Sequence, residues 1–228
     1  MPRLRPLAAA VATLVLSGAC ASPQHVPPAA SPTAAGAATT AGSPATGALG
    51  QAIAASRRLS SYAFATTLAV GSSTTRISGA VVQPDELTYT LTTGGRSEQV
   101  VRLLGATYVR TVPGHWKRLP KAQPASDPVQ ALITVLSGIT GPTTSVVVGE
   151  TVVAGILPPP VAQAAGLLPA GASRTVRVAV SVTIDPAHQV TRLQVVLPVS
   201  VRGRVLQAVQ TTTFSRFDSV PPITVPSG

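Results

Sequence analysis

The 228-residue chain has one cysteine, one methionine, one tryptophan and only seven carboxylates. A single cysteine forms no intramolecular disulfide, and one cysteine with three histidines leaves any His/Cys metal cluster too sparse to expect. Charged residues make up 11% and aromatics 3%. The formal charge of +10 therefore belongs neither to a charge-driven disordered tail nor to a nucleic-acid arm with interleaved stacking rings. The length suits one domain with appendages.

Catalytic constellations are also missing. A hydrolytic or transfer site needs a nucleophile with its base, a carboxylate pair, or a metal. His115 lies in Pro113-Gly114-His115-Trp116 and His188 follows Asp185-Pro186-Ala187, both turn compositions in which a solvated histidine is ordinary. Asp85-Glu86 and Asp185 are turn residues, Asp127 reads as a helix cap, and Glu98, Glu150 and Asp218 stand alone. Glycines such as Gly94-Gly95 mark hairpins, and no phosphate-binding loop is present. Trp116 beside Lys117-Arg118 reads as one aromatic closing the edge of a core. The expectation is a non-enzyme with no cofactor, no metal and no nucleic-acid partner.

What the chain does have begins at its start. Arg3 and Arg5 precede an uncharged run from Leu7 to Leu16, which ends in Ser17-Gly18-Ala19-Cys20. This is the charged, apolar and small-residue order of an export signal, and the run is shorter than the roughly 20 residues that span a bilayer. The cysteine directly after small residues resembles the lipobox of bacterial lipoproteins, in which it is acylated and becomes the mature N-terminus. Leu16 lies four positions before Cys20 and Ser17 takes the customary leucine position. The alternative is a cleaved signal with an incidental cysteine. Residues 1–19 are thus expected to be a signal peptide and Cys20 a lipidation site. Their removal takes two of the 17 cations and none of the seven acids, leaving +8.

From Ala21 to Thr46 nearly every residue is Ala, Ser, Thr, Pro or Gly and none is charged. Such a segment cannot bury enough surface to offset its ordering entropy. Residues 20–46 read as an acylated cysteine and a disordered spacer with a coil span of roughly 25–30 Å. His25 lies within it.

Residues 47–228 form the domain. Ala48, Leu49, Ile53, Ala54 and Leu59 recur at helical spacing over about 47–60. Alternation at Tyr62, Phe64, Thr66, Leu68 and Val70 then predicts a half-buried strand. Further strands are expected at 76–82, 87–92, 99–104 and 107–112, joined by short turns and therefore antiparallel. Asp127-Pro128 starts an apolar helix ending near Gly138, Thr144–Ala154 reads as one strand, and Pro158-Pro159-Pro160 opens a helix over Val161–Leu168. Val176, Val178, Val180, Val182 and Ile184 share one strand face, and 189–197 and 204–217 complete three consecutive strands. About nine strands with three segregated helices make an α+β fold.

This order of elements resembles the LppX/LprG-type lipoproteins of mycobacteria and their relatives, LolA-like half-barrel proteins. The cues are Ser61-Tyr62-Ala63-Phe64, Leu104-Gly105-Ala106-Thr107-Tyr108-Val109-Arg110 with Trp116, Asp127-Pro128, and Val148-Gly149-Glu150-Thr151-Val152. Val180-Ser181-Val182-Thr183-Ile184-Asp185, Thr213-Phe214-Ser215-Arg216-Phe217 and Ile223-Thr224-Val225-Pro226 complete them. The resemblance implies a curved antiparallel sheet, a half-barrel, with helices packed on its concave face. It implies an exported protein on the outer face of the cell membrane, held there by its N-terminal lipid anchor. Such a protein would bind acyl chains of an envelope glycolipid or phospholipid in an apolar cavity, transfer or present them, and work with an envelope transporter. Phe64, Leu68, Leu91, Leu103, Leu132, Val135, Leu136, Val178, Val180 and Val182 are the candidate cavity residues. The same side chains also suit a dry, filled core, the mark of a structural or protein-interaction lipoprotein without ligand. The surplus arginines are expected to face anionic headgroups, each near-surface cation adding about 1 kcal/mol.

Overall fold

The computed structural model describes residues 40–41, 43–120, 128–168, 175–201 and 203–226. The expected signal peptide, Cys20, His25 and the Asp127 cap lie outside these residues.

Twelve strands form one open antiparallel sheet. In chain order they are β1 (Thr40–Ala41), β2 (Ser61–Val70), β3 (Ser73–Val82), β4 (Glu86–Thr93), β5 (Arg96–Leu103), β6 (Ala106–Val112) and β7 (Lys117–Arg118). There follow β8 (Thr140–Val147), β9 (Glu150–Leu157), β10 (Val178–Ile184), β11 (Val190–Val201) and β12 (Arg204–Ser215). Three helices accompany them, α1 (Ser43–Ser56), α2 (Pro128–Gly138) and α3 (Pro159–Ala164). Across the sheet the order is β1-β8-β9-β10-β11-β12-β2-β3-β4-β5-β6-β7. Two meanders therefore meet where β12 pairs with β2, Phe214 opposite Phe64. The sheet is curved and not closed, and its edges are the two-residue β1 and β7, the latter both cationic. Short, charged edges discourage pairing with another chain.

Alternation places the core. In β10, Val178, Val180, Val182 and Ile184 are buried while Ala179 is exposed and Ser181 and Thr183 are half-buried. These valines and the inward residues of β9, β11 and β12 pack with Leu132, Val135 and Leu136 of α2 and with Ala45, Leu49 and Ala52 of α1. The helices thus cover the concave face. Glycine sets two approaches: a Cβ on Gly138 would strike Val161, where α2 meets α3, and one on Gly79 would strike the Thr88 carbonyl of β4.

Several element bounds differ from the sequence expectation. The stretch expected as one strand over 144–154 is a hairpin, because Val148 and Gly149 both take positive φ and reverse the chain. With the two short edge strands this makes twelve strands, not nine. The first helix runs from Ser43 to Ser56, starting with Pro44 in its first turn and ending where Arg57 and Arg58 unwind it. The third stops at Ala164, and the amides of Leu167 and Leu168 both turn back to the Ala162 carbonyl.

Candidate functional site

Among the described residues the helix layer borders an apolar void at the end of the sheet where β10 turns into β11. Ala55, Ser56 and Leu59 border it from α1 and its exit, Val129 and Leu132 from α2, and Gln189 and Val190 from the β10–β11 turn. Tyr62, Phe214 and Phe217 complete it along the β2–β12 seam. The Tyr62 ring stands edge-on to Phe214 at 5.9 Å and tilted to Phe64 at 6.4 Å. A chain with three tyrosines and three phenylalanines thus gathers four of its six at one seam.

Backbone bonding explains why these groups meet. The Ser56 hydroxyl donates to the Ala52 carbonyl at 2.8 Å, so the last turn of α1 satisfies its own polar group and leaves an apolar wall. Asp218 accepts from the Ser60 amide at 2.6 Å and the Ser60 hydroxyl at 2.8 Å, while its own amide donates to the Ser61 carbonyl. The amide bond from Ser60, with that of its hydroxyl, holds the Asp218 carboxyl below the usual range. Val220 N–H donates to Ser61 Oγ at 3.1 Å and Ile223 N–H to Glu86 Oε2 at 3.2 Å, so the C-terminal segment is stitched across the starts of β2 and β4. On the far side Asp185 Oδ1 accepts from the Gln189 amide at 2.8 Å and closes the turn.

The void has a volume of about 10 Å³, close to that needed for one water and far below the roughly 300 Å³ at which ligand pockets begin. Leu132, Val135, Leu136, Val178, Val180 and Val182 all lie in the larger core cluster, with half-buried Leu68 packed against it. Phe64 lies in the second cluster, beneath β2 to β5, with Leu91 against it. Leu103 departs from the set: it lies three residues from the inward Val100, so it faces the opposite side of the sheet and joins neither cluster. Of the ten, Leu132 alone borders the void. Among the nine lining residues outside that set are Tyr62, Phe214 and Phe217, although their segments carried the family likeness. The signal was the convergence of rare aromatics at both ends of the domain sequence.

One ionisable pair lies on the concave face away from the void. Glu98 is opposite Leu91 and on the same face as Tyr89 and Val100. Burial pushes the Glu98 carboxyl up, and burial followed by the Glu98 charge pushes the Tyr89 phenol up to about 12. On the outer face the Arg110 guanidinium lies 4.8 Å over the Trp116 ring and donates to Gln99 Oε1, with its Nε at 3.0 Å. Trp116 thus holds an arginine and is not packed into either core cluster. Among the described residues no three His, Cys, Asp or Glu side chains converge as for a metal. His115 and His188 are both exposed in turns. Exposed arginines lie at both ends of the sheet: Arg57, Arg58, Arg192 and Arg216 toward the void, Arg76, Arg96, Arg177 and Arg204 toward the other end, with Arg118 on the β7 edge.

No family model and no curated protein matches the chain. Solved structures do match. LprF from Mycobacterium bovis superposes with a TM-score of 0.55 at 14% identity, covering 82% of this chain and 99% of that one. Mycobacterium tuberculosis lipoprotein LppX superposes with a TM-score of 0.53 at 18% identity, covering 80% and 98%. This chain has the LprF and LppX fold. The half-barrel expected from the order of elements is thereby found in space. No helix among the described residues is long and apolar enough to cross a membrane.

Proposed function

We propose that this is an exported, lipid-anchored envelope protein that binds acyl chains of an envelope lipid between its sheet and helices and transfers or presents them without covalent chemistry. The reading rests on the shared fold with LprF and LppX and on one observation, the apolar aromatic-walled void at the end of the β2–β12 seam. At about 10 Å³ it is an entrance and not a chamber. An acyl chain enters only if α1 and α2 part from the seam. The α1 contact favours such parting, because alanines at 45 and 52 bury little apolar area per residue compared with leucine. Cys20 supplies the anchor, nine of the ten apolar side chains named above, all but the outward Leu103, supply the walls of the opened space, and an envelope transporter supplies or receives the lipid.

The test is native mass spectrometry of the full chain extracted from membranes of a host rich in acylated glycolipids. The expected spectrum shows a bound lipid in addition to the N-terminal acyl groups, and Leu132→Trp, which plugs the void, removes it. Cys20→Ser is expected to move the protein from the membrane to the soluble fraction. A second reading, a protein-interaction lipoprotein with a permanently filled core, is favoured by the same small volume. Protein that carries anchor acyl groups alone, with Leu132→Trp changing nothing, selects it.

A further inference from the structure

Two hairpins at the void end are built in a costly way. In β5–β6, Leu103 pairs with Ala106 and the two-residue loop is Leu104-Gly105, with φ of 51° and 73°. In β8–β9, Val147 pairs with Glu150 and the loop is Val148-Gly149, with φ of 51° and 82°. Loops with two positive φ values favour Asn, Asp or Gly at the first position. A leucine there is strained and a β-branched valine more so. Neither side chain recovers anything by packing: Leu104 is 87% exposed and Val148 is 99% exposed. Val146 and Val147 extend the second tip at 72% and 53%. Both tips lie at the same end, since Thr151 pairs with Ile184 beside the β10–β11 turn and Leu87 pairs with Arg102 beside the β3–β4 turn.

We infer that these tips are two apolar prongs that enter the surface of a lipid bilayer and set the void end of the domain against it. The spacing chooses the occupant. Eight inter-strand steps separate the two hairpins in the sheet order, roughly 38 Å along the sheet at about 4.8 Å per step. A bilayer offers apolar depth at both points at once, whereas a partner protein would need two separate pockets, one for each tip. The chain direction agrees. Thr40 pairs with Thr144 and Ala41 with Thr143, so the N-terminal end of β1 lies on the side of the Val146–Val148 tip. The inference is independent of acyl-chain binding, because the tips belong to the sheet and not to the helix layer.

The full chain with Cys20→Ser has no remaining thiol, so Val148→Cys and Leu104→Cys can each carry one environment-sensitive fluorophore, with Val205→Cys, 70% exposed at the opposite end, as reference. On mixing with phosphatidylcholine vesicles, with or without phosphatidylglycerol, emission is expected to rise several-fold and shift to the blue at 148 and 104 and to stay unchanged at 205. No change at 148 and 104, or an equal gain at 205, overturns the inference. A gain at 148 that follows protein concentration without vesicles assigns the tips to a second copy and also overturns it. Val148→Asn, carrying no label, separates membrane entry from fold strain. It is expected to raise the Tm while lowering vesicle partition about tenfold, the loss of one buried valine. A raised Tm with unchanged partition overturns the proposal.

Discussion

The β8–β12 half of the sheet and the β2–β6 half share one concave face but are finished differently. Under β10 and β11 nearly every inward position is an aliphatic residue almost fully out of solvent, and all three helices contribute to the same cluster. From β2 to β5 buried Phe64, Val81, Leu87 and Val100 share the face with Tyr62, Tyr89 and Glu98 and with the half-buried Ile77 and Leu91, and α2 reaches them with Val129 and Ile133. The aliphatic half is finished as a core, while the aromatic half keeps polar atoms and solvent contact on the same face. The void lies on that boundary.

Truncation of buried side chains gives the largest expected effect. Leu136 is 1% exposed, and Leu136→Ala is expected to cost about 3–4 kcal/mol because the closed layer cannot collapse into the space. Leu91→Ala, at a half-buried position, is expected to cost about 1–2 kcal/mol. Urea unfolding of both variants decides it. Equal losses would mean that the halves form one uniform core and that the boundary has no special weakness.

A smaller effect separates the halves by pH. Burial raises the Glu98 pKa in the folded protein, so the folded state binds this proton more tightly than the unfolded chain. The stability it contributes is full below the ordinary glutamate range and is lost as pH rises through the raised value. Glu98→Gln is expected to remove that slope and to be the more stable form at neutral pH, by less than about 1 kcal/mol because the group is partly solvated. Asp218 acts in the opposite sense, its lowered pKa withdrawing stability as pH falls. The comparison therefore belongs above the aspartate range. A slope that survives in Glu98→Gln would show that the β2–β6 face is wet enough for Glu98 to titrate as on a free chain.

How much of this was legible in the sequence differs along the same boundary. The valine alternation of β10 fixed its inward face, and short turns fixed the antiparallel meander, because period and loop length act locally. The β12–β2 pairing joins residues at opposite ends of the domain and leaves no local trace. Val148-Gly149 reads as strand interior in the sequence because valines on both sides outweigh one glycine when propensity alone is considered. Leu103 was grouped with the inward residues on its hydrophobicity, although its parity with Val100 already set it on the other face. The cavity candidates were found as apolar positions, but whether such positions enclose space depends on how closely helices lie over them. Gly138 against Val161 shows that closeness depends on contacts between distant segments.

The smallest expected effect concerns the outer face of β5 and β6. Arg110 lies between the Trp116 ring and the Gln99 amide, and Trp116 is only half-buried. A cation over a solvated indole contributes about 0.5–1 kcal/mol. A double-mutant cycle with Arg110→Gln and Trp116→Ala is expected to return a coupling in that range, against the several kcal/mol at Leu136. Because the ring lies near the β7 edge, whose two cations are exposed, the coupling reads how well that edge is shielded from water. A value near zero would mean that Trp116 and Arg110 are independently solvated. The β6–β7 edge would then be held by its backbone pairing alone, and the contrast between the two halves would sharpen to one between a packed edge and an open one.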